Sequence, residues 1–188
     1  LRTVAADDVV VAIGPGTSTS ASDLWLAADI GVLVTVPEPA AIETTYRFLR
    51  ATFVRDLRRS LRADRSRLRQ LDRYLGELGD PKRVPPFGGS ATLPLPIDLA
   101  RFLQHKDSPL GELAARTLAR MRPRRVVNQT RVRSDVELGG WMAQVAARRM
   151  GVGIDVLGQI EHDDAVWLAN RRLRPLLVDN PSSKAGRG

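Results

Sequence analysis

The stretch Gly14-Pro15-Gly16-Thr17-Ser18 has the residue types of an anion-binding loop. Glycine lets backbone amides approach a phosphate closely, and Thr17 and Ser18 add hydroxyls. The same residues also suit an ordinary turn from a strand into a helix. Asn128 carries a two-way amide that can pair with a base edge, donating and accepting at once, although such a residue is also a common turn former. A third feature is charge. Between Arg50 and Arg83 lie eleven basic and five acidic side chains, a local excess of +6. Its members include Arg55, Arg58, Arg59, Arg62, Arg65, Arg67, Arg69 and Arg73. Such a patch can track phosphates or an acidic membrane surface. It is also what a solvated helix face looks like. Aromatic residues do not alternate with these arginines, which argues against a single-strand nucleic-acid groove.

Other chemistry is excluded by count. The 188 residues include no cysteine, which removes a disulfide framework, a thiolate zinc site and a cysteine nucleophile together. His105 and His162 are the only histidines, too few for a histidine-rich metal site. The longest apolar run, Ile30–Val36, falls far short of the ~20 residues of a membrane helix. No signal-peptide pattern opens the chain, so the expected setting is cytoplasmic. With 43% hydrophobic and 27% charged residues and a net charge of +8, the composition is that of a basic globular domain.

The elements that must position these residues follow from periodicity. Val9–Ile13 is almost wholly apolar and reads as a central strand buried on both faces, with the glycine loop at its end. Asp23–Ala28 reads as a short helix and Ile30–Val36 as a second strand, stopped at Pro37-Glu38-Pro39. Ile42, Tyr46, Leu49, Phe53, Leu57 and Leu61 then recur at helical spacing, and Leu68, Leu71, Leu75 and Leu78 resume it. They predict one long helix, or two in line, with an arginine-coated back. Residues 81–96 read as a proline- and glycine-rich loop. Ser108-Pro109 predicts an N-cap and first-turn proline, with the helix running to about Met121. Val126–Asn128 is a third strand. Ser134 and Glu137 predict a capping box on a helix that Gly151 closes after Met150. Ile154–Ile160 is a fourth strand and Asp163–Arg172 a last helix. This alternation predicts an α/β, doubly wound, mainly parallel sheet with helices on both faces. Ligands in such sheets bind beyond the carboxyl ends of the strands.

Several segments together resemble the MinD/ParA family of P-loop ATPases, especially its flagellar-number-regulator branch (FlhG/FleN-like). They are Leu26–Pro39 with Ala41-Ile42-Glu43 and Tyr46, Val126-Val127-Asn128-Gln129, Leu157–Val166, Arg174-Pro175-Leu176 and Pro181–Ala185. The resemblance implies a single P-loop NTPase-like domain over residues 1–180, with a helical insertion at about 50–121 and a flexible tail at 181–188. It implies ATP with Mg2+, a homodimer with nucleotide between subunits, and a role in placing division sites, flagella, chromosomes or cargo. On that pattern Gly14, Pro15, Gly16 and Thr17 would lie near the γ-phosphate, and Pro37 and Glu38 would line the strand end nearby. Asn128, Gln129 and the loop around Asp163 would face adenine.

Two departures from the family pattern stand out. No G-x-x-x-x-G-K-[ST] phosphate loop occurs in the sequence. The chain opens at Leu1 with an apolar run close behind, as expected of a portion of a longer domain. Ala12 also occupies the position where the family places an acidic residue, and alanine cannot hold a magnesium-bound water. Asp7 and Asp8 lie roughly 12–17 Å away at a strand rise of ~3.3 Å per residue. Phosphoryl transfer relies on both missing groups. The alternative expectation is a non-catalytic scaffold that uses the basic helix, through Arg55, Arg58, Arg59, Arg62, Arg65 and Arg69, against an acidic partner, nucleic acid or membrane surface.

Overall fold

A computed structural model describes residues 6–78 and 93–187. The chain forms α1 (Thr19–Ala27), β1 (Val32–Thr35), α2 (Pro39–Ser60), α3 (Arg65–Leu78), α4 (Pro96–Lys106), α5 (Ser108–Arg120), β2 (Arg124–Thr130), α6 (Arg133–Val145), β3 (Asp155–Glu161), α7 (Asp164–Arg171), α8 (Leu176–Asp179) and α9 (Lys184–Arg187). A π-helical turn, Ala146–Met150, extends α6, and Gly151 ends it in the left-handed conformation at φ 71°.

The fold is α/β, with a small open sheet of three strands in the order β1-β2-β3. Both pairings are parallel, with Val34 opposite Val126 and Val127 opposite Gln159. The order never reverses, and crossovers of one hand in one direction place their helices on one side. Alternation in burial agrees. Leu33, Thr35, Arg125 and Val127 are buried, whereas Val32 and Val34 are 42% and 63% exposed. The expected cover of helices on both faces is therefore not found among the described residues.

Val9–Ile13 also departs from expectation. These residues pair with no strand and stand in the open, Val10 at 95% exposure. Apolar patterning records a need for burial but supplies no ladder partner, and the sheet ends at β1. The loop expected at 81–96 falls mostly outside the described residues; residues 93–95 are irregular, and α4 starts at Pro96.

The core lies between the covered sheet face and the helices. Leu49, Phe53 and Leu57 of α2, with Leu61 at its C-cap, share one core cluster with Leu71, Tyr74 and Leu75 of α3, Leu99 and Leu103 of α4, and Leu110 and Ala114 of α5. Each fully buried large apolar side chain contributes about 1.5–3 kcal/mol of transfer free energy. The long apolar stripe is broken after Ser60. Asp64 accepts from Arg67 N at 3.0 Å and starts α3 anew. Arg58 Nε donates to Asp72 at 2.9 Å, whereas those residues would stand ~21 Å apart in a straight helix. So α3 folds back on α2 instead of continuing it.

Two predicted caps shift by one or two positions. Asp107, not Ser108, caps α5 by accepting from Leu110 N at 3.1 Å. At α6 the expected Ser134–Glu137 box is replaced by Asp135, which accepts from Arg131 N at 2.8 Å and Val132 N at 3.2 Å. Glu137 pairs instead with Arg133 at 3.1 Å.

Leu49 is completely buried at the centre of this core. Leu49→Ala is expected to lower the unfolding free energy by about 2–5 kcal/mol, with an unchanged urea m-value.

Candidate functional site

Parallel pairing brings the carboxyl ends of all three strands to one rim. β1 delivers Val36, Pro37 and Glu38, and Glu38 is the N-cap of α2, with Pro39 in its first turn. Thr45 Oγ1 donates to Ala41 O at 2.9 Å and lies 3.3 Å from Thr35 Oγ1, hydroxyl to hydroxyl, tying the strand end to that helix. The Glu38 side chain makes no cap hydrogen bond and is exposed.

β2 ends in an irregularity. Asn128 opposes Ile160 and Thr130 opposes Glu161, so Gln129 is the extra residue of a bulge. Gln129 adopts φ 62°, a left-handed conformation uncommon for a residue with a Cβ. Bulges and strained residues concentrate at sites where a side chain is re-aimed. Asn128 Oδ1 accepts from Gln129 N at 3.0 Å, and Thr130 Oγ1 donates to Ile160 O at 3.4 Å. Asn128 is half-buried, and its Nδ2 donates to no acceptor among the described residues.

β3 leads through His162 to Asp163. Asp163 caps α7 by accepting from Ala165 N at 2.9 Å, and its other oxygen accepts from Ala185 N at 3.3 Å. The backbone donor of Ala165, then those of Ala185 and Lys184, hold this carboxyl below its ordinary value of 3.8. The terminal segment thus returns to the rim, with Ser183 buried and Lys184–Arg187 in one helical turn. A free tail was expected at 181–188.

Pro37, Glu38, Asn128, Gln129 and Asp163 therefore follow the same ends of adjacent strands. Gly14, Pro15, Gly16 and Thr17 do not join them through any described contact. They are exposed, and a Cβ on Gly14 or Gly16 would meet no atom within 4 Å. They precede Ser18, whose Oγ accepts from Ala21 N at 3.1 Å and caps α1. α1 in turn packs along the second half of α2, where Asp23 receives Arg55 in two hydrogen bonds of 2.7 and 2.6 Å. That hydrogen-bonded guanidinium holds the Asp23 carboxyl below its ordinary range. Ala12 stands in the unpaired segment. Among the described residues no cluster of His, Asp or Glu is suited to a metal ion.

The arginine patch divides in two. Arg55 pairs with Asp23, Arg58 with Asp72 and Arg67 with Asp64. Arg59, Arg62, Arg65 and Arg69 are exposed and form no ion pair among the described residues. Arg55, Arg59 and Arg62 line a shallow recess of about 260 Å³ with Asp23 and Ala27. No described helix is long and apolar enough to cross a membrane. The sequence reading did not single out Thr35, Thr45 or Thr130, the threonines that fasten the rim. Their only signal is a hydroxyl at a strand end or one turn into the following helix.

No protein-family model matches the chain, and no curated protein does.

The Asp163 carboxylate gives a pH test. Its pKa is depressed in the folded chain, so its contribution is complete above pH 3.8 and fades as pH falls through the lower folded value. Hydrogen exchange at Lys184 and Ala185 is expected to lose protection across that acid range, after correction for intrinsic exchange. Asp163→Asn is expected to remove this pH dependence.

Proposed function

We propose that the rim is the base-binding side of an adenine-nucleotide site in a MinD/ParA-like spatial regulator. The observation that carries this reading is the convergence of Glu38, Asn128, Gln129 and Asp163 beyond the carboxyl ends of parallel strands, the place where open α/β sheets bind ligands. Asn128 has the right chemistry for adenine. Its Nδ2 donates to a ring nitrogen, while the second lone pair of Oδ1 accepts from the exocyclic amine. The bulge at Gln129 turns the backbone at the same point.

The phosphate side is not supplied by this sequence. It has no lysine-bearing loop, and Ala12 offers no ligand to a magnesium-bound water. The residues present therefore do not fit a magnesium-dependent hydrolytic centre, and no hydrolytic step is assigned to them. Binding would report nucleotide state, and the homodimer this reading includes would hold the nucleotide between its subunits.

Titration with a fluorescent ATP analogue, with and without Mg2+, tests this reading. Saturable binding displaced by ADP but not by GDP is expected, with at least about a tenfold loss in Asn128→Ala, as for a bidentate contact to a base. Equal displacement by guanine and adenine nucleotides, or no binding, would overturn it.

A second reading rests on Arg59, Arg62, Arg65 and Arg69, four exposed cations without an ion pair among the described residues, on α2, α3 and the turn between them. They suit an acidic surface. If they neutralise phosphates of duplex DNA, affinity should fall with log salt at a slope of about −3 to −4. A flat response would exclude DNA as that surface.

A further inference from the structure

Three buried polar atoms without hydrogen-bond partners meet in one place. Trp25 Nε1, Thr52 Oγ1 and Thr117 Oγ1 are each buried and unpaired among the described residues. All three residues line one cavity of about 170 Å³. It lies beneath the amino ends of β1 and β2, beside Gly31, Met121 and Arg122, at the opposite edge of the sheet from the rim. Thr52 and Thr117 are 0% and 2% exposed. Buried polar groups are ordinarily satisfied, so a cluster of exceptions calls for a partner. Thr44 and Thr45, on the same helix as Thr52, show the usual solution: their hydroxyls donate to Ala40 O and Ala41 O at 2.8 and 2.9 Å. Thr52 makes no such bond.

Charge supplies the second observation. Asp29, Asp56, Arg120 and Arg122 also border the cavity. Each lacks an ion pair among the described residues; Asp29, Arg120 and Arg122 are exposed and Asp56 is half-buried, so two anions and two cations stand open to a ligand along one lining. A ligand carrying both signs complements that arrangement, whereas a singly charged one leaves half of it unused. Size narrows the class further. The volume equals that of about five or six waters and lies below the ~300–1,000 Å³ of drug-sized sites.

We propose that this cavity binds a small zwitterion of the free α-amino acid class. The carboxylate lies toward Arg120, Arg122 and the indole N–H of Trp25. The ammonium lies toward Asp29 and Asp56, and the threonine hydroxyls complete the shell. Phe53 and Met121 wall the space for a short apolar side chain. Gly31 sets the position of the indole, because a Cβ there would stand 2.5 Å from Nε1 and Cζ2.

The full chain carries three tryptophans, and Trp141 and Trp167 are exposed. Replacing these two by phenylalanine leaves Trp25 as the reporter. Titration with glycine, alanine, serine and leucine is expected to change its emission saturably, whereas acetate and methylammonium do not. Asp56→Asn and Arg122→Gln should each weaken binding at least about tenfold, as expected for loss of a charge-assisted hydrogen bond. Thr52→Val with Thr117→Val should abolish the response without lowering the melting temperature of the unliganded chain, which separates lost binding from lost folding. The proposal fails if no amino acid changes Trp25 emission or melting temperature at concentrations to about 10 mM, the result of a water-filled cavity only. It also fails if the threonine double variant binds normally. Binding of the fluorescent nucleotide is read separately, so either site can fail alone.

Discussion

Parallel pairing of β1, β2 and β3 in unreversed order is the constraint from which the rest of the structure follows. Two ladders align the strands so that every carboxyl end meets one rim and every amino end meets the opposite edge. Strand identity thus settles where each loop goes. The same order places α2 and α6 over one face, where Tyr46 of α2 donates to Met142 O of α6 at 3.2 Å. The other face, with Val32 and Val34, is left without a described cover. An antiparallel arrangement would have scattered Glu38, Asn128 and Asp163 to alternate edges.

Arg125 shows what the covered face tolerates. This β2 residue is completely buried and donates to Met142 Sδ, Leu138 O and Gly139 O, all neutral acceptors. Its Nε has no partner among the described residues. Burial pulls the guanidinium pKa down, and the neighbouring Tyr46 phenol offsets part of that pull. Gly139 makes the approach possible: a Cβ there would stand 3.3 Å from Arg125 Nη2. A charge so placed gains directional bonds to α6 but bears the cost of desolvation. It is therefore a positional device in the β2–α6 contact, and a poor source of net stability.

Helices were legible in the sequence because their apolar residues recur at 3 and 4, although α1 starts at Thr19, four residues before the expected Asp23. Caps were less legible. Asp107 and Ser108, or Ser134 and Asp135, are neighbouring residues able to perform the same hydrogen bonding, and only backbone direction chooses between them. The fold-back of α3 was hidden because a stripe of leucines has the same spacing on one straight helix as on two packed helices. The three paired strands were legible as β-branched runs, but Val9–Ile13 has the same pattern and no partner. At the rim, Pro37, Glu38, Asn128, Gln129 and Asp163 could be placed because each ends a strand. The cavity below was not foreseeable. Trp25, Thr52 and Thr117 lie far apart in the chain, and their convergence depends on how α1 and α5 pack against α2.

Helix α2 joins the two edges of the molecule. Its N-cap, Glu38, stands at the rim, and Thr52 and Asp56 lie at the cavity, about 21–27 Å further along at 1.5 Å per residue. A shared helix is not by itself a route of communication. Coupling requires an element with two arrangements whose balance both ligands shift. Leu49, Phe53 and Leu57 fix α2 along this interval, each at 1% exposure or less. An axial slip would have to break the contacts of all three at once, and the structure shows no second packing that would replace them. The element that carries Trp25 is α1, held to α2 by the half-buried Asp23–Arg55 pair and by Trp25 edge-on to Phe48 at 5.9 Å. A ligand that engages the Trp25 indole therefore acts first on α1 and on the glycine loop that leads into it. That loop is exposed and makes no described contact with the rim, so the structure gives the lower cavity no packed route to the opposite edge through either α1 or α2.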